Sequence, residues 1–200
     1  RLLSRGLGDV YKRQDQKLLI ARSGWSKQGG YEIYLHDSSL GLQLWDDIWQ
    51  GGEPFSLRAG CPNLIERIEG GLLSYGNDMT RNDTPLECGL EKYCDLDSNS
   101  DFIGKSALVS QKQRGIERSL VGLRIDGPPI RGLKETAPCR QNEKDCGYVT
   151  SAAFSPDLDS NIAIAMVSTR ISRDEEYIEV LIEGEWRMAV CSTLPFTKAN

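Results

Sequence analysis

Residues 146–168, CGYVTSAAFSPDLDSNIAIAMVS, decide the fold class of the C-terminal part of the chain. Two mainly apolar segments, at 146–155 and 162–168, flank a connection made of Pro, Leu, Asp, Ser and Asn. Short segments bounded by turn-forming residues are typical of β-strands. The stretch therefore predicts two consecutive strands.

Three further segments follow the same pattern: SLVGLRI at 119–125, YIEVLI at 177–182 and WRMAVCS at 186–192. Turns such as DGPP and EGE separate the strands, and no helical pattern intervenes. This arrangement predicts an antiparallel sandwich or barrel. We place a domain boundary near residues 115–118 and expect a β-barrel-like domain at 118–200.

Three helices are predicted upstream of the barrel-like domain. Ser38 or Ser39 is expected to cap the first, and the second lies within CPNLIERIEGG at 61–71. Asp101 is expected to cap the third, which ends at Gly115. We expect the tryptophans of the first helix to lie in a core. Its apolar residues are Leu40, Leu44, Trp45, Ile48 and Trp49.

The segment YEIYL at 31–35 combines a strand pattern with a candidate binding group, and LLIA at 18–21 predicts a strand before it. Alternation places Glu32 and Tyr34 on the face opposite the other three side chains. A Glu in this setting either faces solvent or binds a ligand that presents paired N–H donors. The alternation alone favours the solvent-facing interpretation, because any half-exposed strand shows it.

Residues 72–90, LLSYGNDMTRNDTPLECGL, are rich in Gly, Asn, Asp and Pro. This composition predicts a long loop rather than regular structure. Loops of this length in a compact domain are usually functional.

Composition excludes several functional classes for this chain of 200 residues, which has 39% hydrophobic and 26% charged residues. Six cysteines without a CxxC pair, and a single histidine, predict no metal site and reduced thiols in a cytoplasmic protein. A net charge of -5 without a basic stripe argues against nucleic acid as a partner. The longest apolar run is too short for a membrane span.

Sequence motifs for common enzyme classes are incomplete. The only histidine, His36, is expected at the surface, and no G-x-S-x-G motif supports a serine hydrolase. The tail of a P-loop occurs at 104–106, but Asn99 stands where that loop requires Gly. Lys105 and Ser106 are therefore expected in the first turn of a helix.

Residues 1–14 differ from the rest of the chain, since they carry four basic side chains and one acidic one. They also lack the apolar core and cleavage site of a secretory signal. We set them apart as a non-native leader or a flexible basic arm and expect no site in them.

Seven segments, in a match that runs from about residue 18 to 196, occur in the order found in the folate-dependent aminomethyltransferase family, typified by the T-protein of the glycine cleavage system. They are RSGWSKQGGYEIYL (22–35), ERIEGGLLSYGNDMT (66–80), TPLECGLEKYCDLD (84–97), DFIGKSAL (101–108), LVGLRIDG (120–127), GYVTSAAFSPDLDSNIAIAMV (147–167) and MAVCSTLPF (188–196).

The resemblance implies an α+β protein: part of a folate-binding ferredoxin-like, split β-α domain at 15–117, followed by an antiparallel β-barrel domain at 118–200. Family members are about twice this length. The resemblance therefore implies that the N-terminal half is missing, that the catalytic residues lie in that half, and that this fragment alone is inactive.

The resemblance also assigns residues to tetrahydrofolate. It implies that Glu32 accepts hydrogen bonds from the amino and ring N–H groups of the pterin, with Tyr34 beside it. Trp25 is a folate-contacting aromatic by position, although it has an alternative role in turn packing. Arg67 faces either the glutamate tail of folate or a glutamate of its own surroundings, Glu66, Glu69 or Glu91. Tyr75 is a further candidate.

Within the family the chain is most similar to the branch that demethylates dimethylsulfoniopropionate. That similarity implies a methyltransferase with two small-molecule partners, a sulfonium donor and folate. Aminomethyltransferases carry an acidic residue at Gln28, an Arg near Asn63 and a Tyr at Thr197 or Lys198. Aminomethyl transfer and folate binding without catalysis remain the alternatives, and the sequence does not indicate the oligomeric state.

Overall fold

A computed structural model describes residues 9–13, 16–23, 29–61, 63–171 and 176–196. The strands are β1 Asp9–Arg13, β2 Gln16–Ala21, β3 Glu32–Tyr34, β4 Arg118–Ile125, β5 Ala137–Gln141, β6 Lys144–Ser155, β7 Ser160–Ser168, β8 Tyr177–Ile182 and β9 Glu185–Ser192. The α-helices are α1 Gly41–Gly52, α2 Leu64–Glu69 and α3 Lys105–Arg114. Contacts divide the chain into two compact units, Arg1–Asn63 and Leu64–Asn200.

The first unit contains an antiparallel sheet in the order β1-β2-β3. Residues 9–13 belong to the segment that composition alone sets apart from the fold, yet they pair with β2 along their whole length. In the pairing of β2 with β3, Ala21 lies opposite Glu32 and Leu19 lies opposite Tyr34. The predicted strand at 31–35 is confirmed, and the sheet fixes which side chains share its face.

Helix α1 confirms the predicted helix, but two expectations about it are wrong. Asp37, rather than Ser38 or Ser39, caps the preceding 3₁₀ turn, because its side chain accepts a hydrogen bond from the Ser39 N–H at 3.0 Å. Trp45 and Trp49 are 56% and 44% exposed and stack on each other, with ring centroids 5.9 Å apart. Helical spacing predicts an apolar face, but only a packing partner buries it.

The second unit contains a closed six-stranded antiparallel barrel in the order β4-β7-β6-β5-β8-β9. All five predicted strands of this region are present, and β9 pairs with β4 to close the barrel. Strand β5 has no counterpart in the sequence-based prediction, because APCRQ is short, polar at one end and contains Pro138. Closure removes the free sheet edges that an open arrangement would leave.

The barrel core is built from aliphatic side chains, alanines and two cysteines. Its fully buried members include Leu123, Cys139, Val149, Ala163, Ala165, Val167, Ile178, Val180, Ile182 and Cys191.

Contacts place residues 64–117 in the same compact unit as the barrel. The domain boundary near 115–118, which the change to a strand pattern predicts, stays a prediction. Helix α2 packs on β6 and β7 through Ile68, which is fully buried. The backbone of Glu69 accepts a hydrogen bond from the N–H of Phe196 at 2.8 Å, and the Glu69 side chain accepts one from Ser155. Helix α2 is therefore attached to the barrel by both apolar and polar contacts.

Helix α3 begins three residues later than predicted. Gly104, with φ of +91°, occupies the N-cap position, whereas the Asp101 side chain accepts a hydrogen bond from the N–H of Phe102. Asp101 therefore caps a local turn and not the helix. Lys105 and Ser106 lie in the first helical turn, as predicted, and the Lys105 ammonium donates to the carbonyl oxygen of Ser100 at 2.8 Å.

Candidate functional site

Glu32 and Tyr34 lie two residues apart on β3 and share one face of the first sheet. Both side chains are exposed, with 48% of Tyr34 accessible. A carboxylate offers two coplanar acceptor oxygens, and the neighbouring phenol ring offers a flat apolar surface. This pair is suited to a planar ligand that carries adjacent N–H donors.

Ser23 is a member of this face that the sequence analysis does not include. Its hydroxyl donates a hydrogen bond to Oε2 of Glu32. The register explains the contact, since Ala21 lies opposite Glu32 and Ser23 follows two residues later, on the same side. The hydroxyl holds one carboxylate oxygen in place, which orients the plane of the acceptor.

Trp25, the third candidate of this region, lies outside the described residues together with the rest of 24–28. Its assignment as a folate contact stays a prediction.

Arg67 is placed on α2 with only 2% of its surface exposed. Its Nη1 lies 2.7 Å from Oδ2 of Asp78, and its Nη2 donates a hydrogen bond to the hydroxyl of Ser151. Asp78 is a partner that the sequence analysis does not include, and the assignment of Arg67 to folate stays a prediction. The positive charge is thus compensated inside the protein.

Asp78 accepts hydrogen bonds on both carboxylate oxygens. Besides Arg67, Oδ2 accepts from the backbone N–H of Ser74 at 2.8 Å, while Oδ1 lies 2.6 Å from the hydroxyl of Thr150 and 2.7 Å from that of Ser151. Four donors match the capacity of an ionised carboxylate. The group joins helix α2, the 74–79 turn and strand β6.

A β-bulge allows neighbouring residues of β6 to reach the same carboxylate. Consecutive side chains of a regular strand point to opposite faces. In the pairing with β7, Val149 lies opposite Ala165 and Ser151 opposite Ile164, so Thr150 is the extra residue. The bulge changes the direction in which the side chains point, so the hydroxyls of Thr150 and Ser151 both donate to Asp78.

Tyr75 lies on the 74–79 turn with 67% of its surface exposed. The same turn contributes Gly76 and Asn77 to a cavity of about 220 Å³, which Arg67 also lines. Residues 133–136, Thr150 and Ser151 also line it. Of the five sequence-based candidates, Arg67 therefore lines this cavity of the second unit, and Tyr75 directly precedes one of its lining residues, Gly76.

A second ionic cluster fixes the remainder of the long loop to the barrel. Arg118, the first residue of β4, contacts Glu87 at 2.8 Å and Asp83 at 2.9 Å. Burial by itself raises the pKa of Glu87, but the backbone N–H of Thr84 and the guanidinium of Arg118 outweigh burial and lower it. The loop is therefore anchored by an ionised carboxylate.

Sequence reasoning missed Ser23, Asp78, Thr150 and Ser151. Asp78 belongs to the segment SYGNDMT, whose Asn and Asp content signals a turn, but its partners Thr150 and Ser151 lie more than 70 residues away. No local pattern identifies such a contact.

Within the described residues, no three His, Cys, Asp or Glu side chains are grouped so as to hold a metal ion. None of the described helices has the length and apolar content needed to cross a membrane.

Comparison with known families gives two matches that together cover most of the chain. The GCVT N-terminal domain matches residues 10–98, and the glycine cleavage T-protein C-terminal barrel domain matches residues 118–198. The second range contains all six strands of the closed barrel.

Individual relatives agree with these family matches. The chain is 49% identical over 160 residues to the dimethylsulfoniopropionate demethylase DmdA of Ruegeria pomeroyi, covering 78% of this chain and 43% of that protein. It is 34% identical over 197 residues to an aminomethyltransferase of Caldanaerobacter subterraneus, covering 96% of this chain and 51% of that protein. The chain therefore spans about half the length of these relatives.

A solved structure shows the same fold. The crystal structure of the glycine cleavage system aminomethyltransferase T from Bartonella henselae matches with a TM-score of 0.78 and 25% identity, over 93% of this chain and 51% of that one. With both domains matched in sequence and the mixed α/β fold with its closed barrel matched in structure, the chain belongs to the glycine cleavage T-protein family of folate-dependent aminomethyltransferases.

Proposed function

We propose that the protein to which this chain belongs transfers a methyl group from dimethylsulfoniopropionate to tetrahydrofolate. The observation that carries the proposal is the 49% identity to the demethylase over 78% of this chain, against 33% to 35% for aminomethyltransferases that cover 91% to 96% of it. The residues Gln28 and Asn63 support it, because they replace an acidic residue and an Arg that aminomethyltransferases carry.

The exposed face of β3 fits the pterin of tetrahydrofolate. Glu32 accepts hydrogen bonds from adjacent N–H groups of the ring, and a charged acceptor makes these bonds stronger than neutral ones. Ser23 orients the carboxylate through its own hydrogen bond. Tyr34, two residues along the same face, supplies an aromatic surface for the ring system.

Methyl transfer from a sulfonium asks the protein mainly for alignment. The sulfonium is already a good leaving group, so the reaction depends on holding the nucleophile, the methyl carbon and the sulfur in line. We propose that the face of β3 holds the acceptor. The groups that hold the donor belong to the part of the family fold outside this chain, and we propose that residues 1–200 alone do not catalyse the reaction.

The test uses the full-length protein, encoded by the complete reading frame, with tetrahydrofolate and dimethylsulfoniopropionate. Release of methylmercaptopropionate together with methylated folate supports the proposal. A parallel assay supplies the aminomethylated lipoyl carrier protein of glycine cleavage and measures tetrahydrofolate-dependent release of ammonia.

The two assays separate the candidate functions. Ammonia release without methylmercaptopropionate assigns the protein to aminomethyl transfer and overturns the methyl donor proposed here. Binding of tetrahydrofolate with neither product identifies a folate-binding protein without transfer chemistry. Aminomethyl transfer is kept as the second candidate function because aminomethyltransferases match more of the chain than the demethylase does.

A further inference from the structure

The large apolar side chains of α1 form one continuous face of the helix. Leu42, Trp45 and Trp49 follow the i, i+3, i+7 spacing of a single helix side, and Ile48 lies next to them. We call these four side chains the α1 face. The polar residues of the helix lie on the other side: Gln43, Asp46, Asp47 and Gln50.

The α1 face is exposed to solvent. Its four side chains, taken in chain order, are 82%, 56%, 40% and 44% exposed. Among the described elements, the main neighbours of α1 are the two 3₁₀ turns that flank it, Ser38–Leu40 and Glu53–Phe55. A contiguous apolar surface of this kind marks a site of contact with another protein surface.

The two tryptophans of the α1 face are already ordered. The rings of Trp45 and Trp49 stack with centroids 5.9 Å apart and planes inclined by 17°. Side chains that are held in place before contact lose little conformational entropy when they are buried. Tryptophan is also enriched among the residues that contribute most to binding at protein interfaces. The α1 face is therefore suited to close packing.

The first unit has almost no hydrophobic core among the side chains that the structure describes. Leu18 is the only apolar side chain of this unit that is buried there, and all three residues of β3 are exposed. A folding unit must bury apolar surface to offset the conformational entropy that it loses. The partner of the α1 face is therefore a permanent part of the folded protein.

The parent protein offers such a permanent partner. The chain covers 43% of the demethylase relative and 51% of the solved aminomethyltransferase, so each of these relatives has a comparable length of further chain. A surface of the same polypeptide is present at a high effective concentration. The α1 face carries no ionisable group, so a charged surface buried against it would lose its hydration without gaining a partner. The partner surface is accordingly apolar.

We propose that the α1 face packs against an apolar surface of the parent protein that lies outside residues 1–200, where Trp45 and Trp49 become core residues. The existence of that surface rests on the length of the relatives, and the contact rests on the exposure of the α1 face. The proposal does not depend on the identity of the methyl donor.

The first test is a photocross-link in the full-length protein. The photoreactive amino acid p-benzoylphenylalanine replaces Leu42, and mass spectrometry identifies the peptide to which it attaches. We expect a product of monomer mass whose second peptide lies outside residues 1–200. The same replacement at Gln50, on the polar side of the helix, is the matched control and should not attach to that peptide.

The remaining outcomes of the cross-link overturn the proposal. A product of twice the monomer mass shows that a second copy covers the α1 face. A second peptide within residues 1–200 places the contact inside this chain. The absence of any cross-linked peptide leaves the face in solvent.

Oxidation by hydroxyl radicals tests the burial of Trp45 and Trp49 without a substitution. In the full-length protein each should oxidise at least about tenfold more slowly than in urea, because a buried ring is shielded from solvent. Exposures of 56% and 44% would slow the oxidation only about twofold, and that result overturns the proposal.

A pair of substitutions tests the energetic consequence. Ile48→Glu places a carboxylate in the α1 face and should raise the unfolding equilibrium constant of the full-length protein roughly a hundredfold or more. Gln50→Glu adds the same charge to the same part of the helix and should have little effect. Equal effects of the two substitutions overturn the proposal. The cross-link and the oxidation rates decide the question if Ile48→Glu does not fold.

Discussion

Nη1 of Arg67 lies 2.7 Å from Oδ2 of Asp78, with 2% of the first side chain and none of the second exposed. Two opposite charges buried together offset the cost of leaving water only when both are present and well bonded. The remaining acceptor positions of Asp78 are filled by Ser74, Thr150 and Ser151. The pair is therefore a structural junction between α2, the 74–79 turn and the barrel.

Removal of one partner should destabilise the second unit strongly. Arg67→Ala leaves a buried carboxylate without its charge partner, and we expect a loss of about 3 to 5 kcal/mol in the free energy of unfolding, measured by urea denaturation. Replacing both partners, as Arg67→Met with Asp78→Asn, should cost less than Arg67→Ala alone.

The surface pair Lys112 and Glu91 provides the control for this prediction. Its atoms are also 2.7 Å apart, but its side chains are 49% and 53% exposed. Lys112→Ala should leave the unfolding midpoint unchanged, because water already solvates both charges. Equal effects of the two alanine substitutions would contradict the assignment of Arg67 to a buried junction.

Glu32 should carry a measurable part of the folate affinity. Glu32→Ala in the full-length protein should weaken tetrahydrofolate binding by about 1.5 to 3 kcal/mol, since charge-assisted hydrogen bonds are lost. That loss corresponds to a factor of roughly 10 to 150 in the dissociation constant, which isothermal titration calorimetry resolves.

Asp46→Ala is the control for Glu32, because Asp46 is another exposed carboxylate of the first unit. It should not alter the affinity. Unchanged affinity in Glu32→Ala would exclude the pterin-binding role of this carboxylate.

Glu87 should make the free energy of unfolding depend on pH in the acid range. The pKa of its carboxyl is lowered in the folded state, burial being outweighed by the Thr84 N–H and Arg118. The stabilisation is therefore fully present above the unfolded value near 4.5 and is lost as the pH falls through the lower folded pKa.

A comparison of the wild-type protein with the Glu87→Gln variant checks this pH dependence. The variant should be less stable than the wild type at pH 7, and the gap should close as the pH falls below 4.5. Thermal unfolding across that range measures both proteins. A gap that widened toward acid pH would contradict an ionised, paired Glu87.

Gly147 should not tolerate a side chain. It lies in β6 with φ of +150°, and a Cβ at this position would overlap the backbone of Met166 and Val167 in β7. Gly147→Ala should therefore separate two central strands of the barrel and lower the free energy of unfolding by about 3 kcal/mol or more.

Gly184→Ala separates the steric effect from the backbone effect. Gly184 also has positive φ, at +87°, but nothing lies within 4 Å of an added Cβ. Its substitution should cost about 1 kcal/mol, the backbone contribution alone. Similar losses at the two glycines would show that the contact with β7 is not the reason for glycine at 147.

Much of the architecture follows from local pattern. The barrel strands at 119–125, 177–182 and 186–192, and the pair on either side of the 156–161 connection, are recognisable because each is a short apolar segment between turn residues. The strand that no pattern revealed, β5, contains Pro138 and is recruited by pairing with β6 and β8. β-Propensity is a weak guide where pairing with neighbouring strands determines whether a segment forms a strand.

The candidate site residues also divide into those that a local pattern reveals and those that depend on distant contacts. Glu32 and Tyr34 were found because a period of two places them on one face, and the structure keeps that face exposed. Arg67 was found by resemblance, but its partner was not, because Asp78 and Ser151 reach it across 11 and 84 residues of sequence. The exposure of Trp45 likewise depends on what packs against α1 rather than on its spacing.

The sequence by itself determined the periodicities: the strands of the barrel, the helix segments, the loop at 72–90 and the face that carries Glu32. Those properties depend on interactions within a few residues, which the order of side chains specifies directly. Only the tertiary structure decided the closure of the barrel, the bulge at Thr150 and the burial of Arg67 against Asp78. These depend on segments distant in the chain meeting in space, where hydrogen-bond geometry and loss of solvent select the partner.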